Sequence, residues 1–499
     1  MRPSNHHAVV LGASMAGLTT ARVLADAYQR VTVLDRDTLA AAGPRAGVPQ
    51  ARHAHALLAR GRAALEELFG GLTDELVAAG APVGDLQADI RMYNEGLRLR
   101  QAPAGLTVLV VSRPLLEDRI RDRVRALGNV RLVDGCTVTG LAATPDGHGV
   151  GGVRVLRGDG PGEELVRADL VVDATGRGSR SPAWLEELGY RRPVEEQVRV
   201  GIAYTTRVYR RRPDHLGGDL AAVVAATPKL RRGGVIHAME GDRWIVTLLG
   251  YQGEQPPVDR EGFTAFSATL AAADIFEVIR DAEPLEDARV ARYPANVRRR
   301  YERLDRFPDG FLVVGDAVCG FNPSYAQGMS VAAGEALALR DCLRDGPADL
   351  GSRFRARTAA IVDIPWQIAV GSDLRLPEVE GPRSAKVRLV NAYLARLHVA
   401  AATDSEVGRA FLRVVNLMDR PERLLRPAVA LRVLRGQRRR PLPHPGPGRP
   451  GAGQSSRHGA TDLAWGAPVA ARRPVGGRPA AVLRRAGRGA GPVRLGPRR

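Results

Sequence analysis

The chain has 499 residues, 44% hydrophobic and 25% charged, which is enough to bury a large core and to form roughly two to four domains. No run approaches the roughly 20 apolar residues of a membrane span, and three cysteines without ligand spacing argue against a disulfide framework and a cysteine-held metal. The net charge of +19 is concentrated at one end: from Gly436 onward 14 Arg face a single Asp, so the charge does not argue for a nucleic-acid partner.

The stretch from Ala8 to Asp37, AVVLGASMAGLTTARVLADAYQRVTVLDRD, organises the rest. Ala8 to Leu11 suit a buried parallel strand. Gly12 to Gly17 turn the chain, and Leu18, Ala21, Val23 and Leu24 follow at helical spacing. Val31 to Leu34 supply a second strand that ends on Asp35, 23 residues after Gly12. This is the strand, turn, helix, strand and acid order of a dinucleotide-binding unit. Gly12 allows the tight turn and the helix start offers N–H groups to a pyrophosphate. Gly17 lets helix and sheet approach, and Asp35 can accept from ribose hydroxyls. Ser14 replaces the usual middle glycine with another small residue. The motif by itself does not separate NAD from FAD. Its position close to Met1 leaves no room for a signal peptide, and a cytoplasmic setting is expected.

Pro44 to Gln50 read as loop, and an amphipathic helix is expected from about His53, with Leu57, Leu58, Ala64, Leu65 and Leu68 apolar. His53 and His55 point apart on a helix, so they make a poor metal pair. They are hydrogen-bonded histidines near a helix start, or one of them faces a ligand. Residues 86–111 read as strands. Ser112 can cap the next helix, with Pro114 in its first turn and Glu117 near the position of a reciprocal capping partner. Arg113 beside that helix start is a phosphate ligand or a solvated side chain. Val130 to Val133 and Cys136 to Leu141 read as strands, and Gly151 to Leu156 with Glu164 to Val166 as a hairpin. Leu170 to Val172 form a buried strand that ends in the turn Asp173-Ala-Thr-Gly176.

Residues 197–300 read as an antiparallel sheet inserted between two halves of the nucleotide domain, followed by a helical stretch from Phe263 to Arg280. Phe311 to Val314 then form a strand that runs into Gly315-Asp316. A loop from Pro323 leads to Gly328 and a long helix from Met329. Helices follow to about 435, with Pro365 and Trp366 near one start. The expected organisation is α/β: a Rossmann-like domain (5–196 and 301–350), a substrate sheet (197–300) and a helical region (351–435). A basic tail (436–499) has a composition that cannot offset its chain entropy; translation in a shifted reading frame is one origin for it.

Taken together, Gly12-x-Ser-x-x-Gly17 with Asp35, the Asp173-Ala-Thr-Gly176 turn, and Gly315-Asp316 with Pro323 and Gly328-Met-Ser330 resemble the FAD-dependent monooxygenases of the aromatic-hydroxylase fold over residues 5–435. The wording GVPQARHAHALL, SRPLLE, DATGRGSR and FNPSYAQGM is similar to an actinobacterial subgroup that includes polyether epoxidases. The resemblance implies FAD as cofactor. Gly12, Ser14 and Gly17 would meet the pyrophosphate, with Asp35 and Arg36 at the adenosine ribose. Arg113 would reach the phosphate and ribityl region, and Val138 the adenine. Val48 to Gln50 would run beside the ring system, Thr175 and Gly176 would form the middle turn, and Gly315 with Asp316 would take the ribityl chain. Pro323, Gly328, Met329 and Ser330 would border the flavin.

The implied activity is insertion of one oxygen atom from O2 into an apolar alkene or aromatic substrate through a flavin C4a-hydroperoxide. Such chemistry requires no nucleophile and no metal, and only His53 and His55 stand as catalytic candidates. NAD(P)H would donate electrons directly or through a separate flavin reductase. The second path is raised because Ala174-Thr175-Gly176 departs from the Ala-Asp-Gly of the hydroxylases. Cys319 and Ala326 also replace a common histidine and a loop glycine. Rival readings are a reductase of isoprenoid-type double bonds and a flavin-binding protein without turnover. A halogenase would need a lysine near residue 80 and a Trp-x-Trp motif, and Lys229 is the first lysine.

Overall fold

The computed structural model describes residues 6–436 apart from 40–44, 46, 48, 159 and 161. The basic tail beyond Gly436 and Val48 of the expected flavin-side loop lie outside the described residues.

Five parallel strands form the central sheet in the order Phe311–Val313, Leu170–Asp173, His7–Leu11, Arg30–Leu34 and Val130–Val133. Their apolar runs are buried on both faces, as a helix-covered parallel sheet requires. Ala8 and Val10 point into a core shared with the helices Met15–Ala25 and Gly328–Arg344. Val9 and Leu11 point the other way, into a core with Trp184, Val362 and Trp366. The strand order reverses direction at His7–Leu11, so Gly12, Asp35, Ala174 and Gly315 converge on one sheet edge. A three-stranded antiparallel sheet, Cys136–Ala143, Val150–Arg157 and Glu164–Arg167, contains the expected hairpin.

An eight-stranded sheet follows the order Cys319–Gly320, Arg289–Arg299, Glu195–Arg210, Arg243–Tyr251, Arg232–Met239, Ala221–Val224, Ile90–Asn94 and Leu97–Arg98. It recruits strands from both sides of 197–300. Ile90–Asn94 crosses from the 86–111 segment to pair in parallel with Ala221–Val224, Ile90 opposite Ala221. That pairing covers an edge that the 197–300 hairpins leave open.

Three local expectations change. The helix expected from His53 begins at Ala59. The Ala54 N–H instead donates to Thr247 Oγ1 at 3.0 Å and the His53 ring bonds Thr206, which ties this segment to the large sheet. The stretch 263–280 divides into Arg260–Ser267 and Asp274–Ile279. Pro365 lies within one long helix, Leu350–Asp373, not near its start. Burial of Phe354, Val362, Trp366 and Ala369 outweighs the roughly 3 kcal/mol that an interior proline costs. The helices Ala385–Ala401 and Ser405–Val415 then pack Leu397, Ala400, Val407 and Phe411 against Ile90, Leu99 and Leu106.

Candidate active site

One cavity of about 1750 Å³ runs along the convergent sheet edge and under the large sheet. It exceeds the roughly 300–1,000 Å³ of an ordinary small-molecule pocket, which leaves space for a dinucleotide and a substrate together. Of the sixteen cofactor-contact residues expected from sequence, all but Gly17 and Ser330 line it. Gly17 acts from behind, because a Cβ there would stand 1.8 Å from the Gly12 carbonyl oxygen. The Ser330 hydroxyl is buried against Gly61 and has no hydrogen-bond partner among the described residues.

The turn after the first strand is shaped for close approach. Gly12 has φ +98°, and a Cβ on it would lie 2.7 Å from the Ala174 carbonyl oxygen. Gly315 has φ +65° and faces Ala16 at 2.8 Å in the same sense. Two helices, Met15–Ala25 and Gly328–Arg344, begin at this edge. Their first N–H groups lack carbonyl partners within the helix and favour negative charge. Asp35 is half-buried and oriented by the Ala13 N–H at 2.6 Å, the Asp37 N–H at 2.8 Å and Arg45 Nη1 at 3.2 Å. Arg36 is exposed at the rim. Gln50 and Val138 are half-buried in the wall. Thr175 Oγ1 donates to Asp173 at 2.6 Å, so its hydroxyl is already engaged beside Gly176.

Beneath the turn lies a charge cluster that the sequence reading misses. Ser14 Oγ donates to Glu117 at 3.1 Å and accepts from Arg113 Nη2 at 2.9 Å. Glu117, expected as a capping partner, is buried and instead receives Arg45, Arg113 and Arg121. Ser112 still caps the helix through the Leu115 N–H. Despite burial, the three guanidiniums hold the Glu117 carboxyl below its usual range. The Arg113, Glu117 and Arg121 spacing places them on one helix face and was a readable signal. Arg45 comes from a loop 72 residues away and was not.

Asp316 faces Arg177 and Arg113, while burial pushes its carboxyl upward. Glu335, nearly two helix turns beyond Met329, accepts the Gly315 N–H at 2.6 Å and is pushed up to about 8 by burial. The chamber wall carries four histidines, of which His398, missed from sequence, is buried edge-on to Phe411 and lowered to about 3 by burial. His53 is buried, bonds Thr206 Oγ1 at 2.8 Å and packs edge-on to Tyr204, and burial lowers it to about 4. His55 Nδ1 bonds the His53 carbonyl oxygen at 2.8 Å and is lowered to about 3 by burial and Arg113. His237, missed from sequence, is buried and also lowered. All four are neutral near pH 7. Ile202, Val223, Leu249, Trp366, Leu394 and Phe411 give the chamber its apolar surface. Cys136, Cys319 and Cys342 are buried free thiols. Among the described residues no cluster of metal-ligating side chains occurs, and no helix is long and apolar enough to cross a membrane.

The paired helix starts, the glycine turns and the oriented Asp35 fit a flavin dinucleotide, and the chain belongs to the FAD binding domain family, whose model matches residues 5–344. It is an FAD-dependent oxidoreductase. The chain is similar to Protein Rv3254 of Mycobacterium tuberculosis (strain ATCC 25618 / H37Rv), 35% identical over 429 residues, which span 83% of this chain and 90% of that protein. In fold it is similar to a triple mutant of the flavin-dependent brominase Bmp2, with TM-score 0.60 and 15% identity over 87% of this chain and 99% of that one. It is likewise similar to PqsL, a probable FAD-dependent monooxygenase from Pseudomonas aeruginosa, with TM-score 0.56 and 18% identity over 74% and 98% of the two chains.

Proposed function

We propose that this chain inserts one oxygen atom from O2 into an apolar alkene or aromatic substrate, as an epoxidase or hydroxylase of secondary metabolism. The observation that carries the reading is the continuity of one cavity from the dinucleotide edge into an apolar chamber whose histidines are all held neutral. Bound FAD, once reduced, supplies the electrons that activate O2. The protein's part is to hold, orient and exclude water. Gly12, Ser14 and the start of helix Met15–Ala25 receive the pyrophosphate, while Asp35 takes the adenosine ribose and Asp316 the ribityl chain. The N–H groups at the start of helix Gly328–Arg344, those of Gly328, Met329 and Ser330, would hold the carbonyl edge of the ring and would favour negative charge there. The large sheet and the helices from Leu350 onward close over the substrate.

His53 is a poor base, because its Nδ1 is already bonded to Thr206 and burial disfavours its protonation. Epoxidation, which ionises no phenol, accords with that. The sequence likeness to polyether epoxidases favours an alkene over a phenol. Electrons come from NAD(P)H, directly or through a separate flavin reductase. The second path is favoured because Thr175, where the hydroxylases carry aspartate, has its hydroxyl turned onto Asp173.

The test offers the FAD-loaded protein a trisubstituted alkene and a phenol of similar size under isotopically heavy dioxygen, with NADPH and then with an added flavin reductase. One heavy oxygen atom per product molecule supports the reading. A saturated, oxygen-free product formed without air would support reduction of isoprenoid-type double bonds instead.

A further inference from the structure

Behind the flavin-facing loop lies a buried carboxylate that the proposed chemistry does not use. Asp373 ends the helix Leu350–Asp373 with no exposed surface. One of its oxygens accepts from Asn322 Nδ2 and from the Tyr325 hydroxyl, each at 2.8 Å. The other accepts from Asn296 Nδ2 at 2.7 Å. Three elements therefore meet on one acid: the strand Arg289–Arg299, the loop after Gly320 and the long helix.

The orientation of both amides is fixed by groups that can only donate. Asn296 Oδ1 receives the Asn322 N–H, so its NH2 end must face Asp373. Asn322 Oδ1 receives the Ser324 N–H at 3.0 Å, so its NH2 end faces Asp373 as well. That same NH2 group reaches the Tyr251 hydroxyl at 3.2 Å, which meets Ser324 Oγ at 3.2 Å. Asp373 is thus surrounded by three donors. An amide in its place would set an NH2 group against another NH2 group whichever way it turned.

We propose that Asp373 is a positioning residue: as a buried anion it pulls the loop Asn322–Gln327 onto the large sheet and so aims the N-terminus of helix Gly328–Arg344 at the flavin. The inference rests on the reading of Gly328 to Ser330 as the flavin-facing edge. Ala326 sits at φ +54° in the left-handed region and Gln327 makes no side-chain cap, so the loop is held by its contacts with Asn296, Tyr251 and Asp373, of which only Asp373 is an anion. The titratable groups that face Asp373 are three phenols, Tyr251, Tyr293 and Tyr325, all pushed up by burial and all neutral near pH 7. With no cation opposite among the described residues, burial raises Asp373 to about 6 while its three donors oppose the rise. Protonation turns the Tyr325 hydroxyl from donor to acceptor and withdraws part of the hold on the loop.

The test titrates FAD into flavin-stripped wild type, Asp373→Asn and Tyr325→Phe between pH 5 and 8, following flavin fluorescence, with circular dichroism to confirm folding. Wild type should bind FAD several-fold more weakly at pH 5 than at pH 7. Asp373→Asn should bind about tenfold more weakly at pH 7 with that pH step gone. Tyr325→Phe should fold normally and show a smaller loss with the step also gone. Wild-type affinity in Asp373→Asn, or weakened binding with an unchanged pH profile, overturns the proposal without touching the flavin reading. Failure of wild type to take up FAD at any pH overturns both.

Discussion

Gly17 lies so close to Gly12 that a Cβ on Gly17 would stand 1.8 Å from the Gly12 carbonyl oxygen. The contact is backbone against backbone, so no side chain can yield to relieve it. Gly17→Ala should destabilise the fold by about 1–3 kcal/mol, the usual cost of overpacking. Gly12→Ala adds strain at φ +98° and should lose FAD as well. Urea denaturation with and without FAD separates the two effects, since ligand binding adds stability only where the site survives.

Glu117 is the anion shared by three buried guanidiniums, with Asp35 also meeting Arg45 and Asp118 also meeting Arg121. Glu117→Gln leaves Arg45, Arg113 and Arg121 without it and releases Ser14 from its acceptor. Breaking such a cluster costs about 3–5 kcal/mol. We expect a large fall in the urea midpoint and weaker FAD binding, whereas Arg157→Gln, at an exposed pair, should cost under about 1 kcal/mol.

Glu335 supplies a pH signature. Its folded pKa of about 8 lies above the ordinary carboxyl value, so the folded state holds a proton that the unfolded chain releases. Stability from this group is full below about pH 4.5, falls as pH rises, and is lost above about 8. Glu335→Gln keeps an acceptor for the Gly315 N–H and removes the ionisation. Its melting temperature relative to wild type should therefore climb between pH 5 and 8 and level off beyond.

Ala326 occupies a left-handed conformation at φ +54°, a region that favours glycine. Ala326→Gly should relieve about 1 kcal/mol of backbone strain. A higher melting temperature, with FAD bound no more loosely, would show that the alanine is a local cost.

What the sequence made legible was what the chain dictates over short spans. The apolar run Ala8 to Leu11, the glycine spacing and the acid at Asp35 announce a dinucleotide turn, because strand burial and helix packing act within some thirty residues. The Gly315-Asp316 turn was readable for the same reason. Long-range partners were not. Arg45 meets Glu117 across 72 residues, and Asn296 meets Asp373 across 77, with no local pattern to mark either pair. The helix expected from His53 failed similarly: its amphipathic pattern was real, but Thr206 and Thr247 of a distant sheet claim the first residues.

The measurement that bears most directly on the account is stopped-flow absorbance of the FAD-loaded protein, reduced without air and then mixed with oxygenated buffer. The account predicts two phases: a first whose rate rises with dioxygen concentration and yields a transient species, then a slower, oxygen-independent return of oxidised flavin. A single oxygen-dependent step straight to oxidised flavin, unchanged by added alkene or phenol, would contradict it.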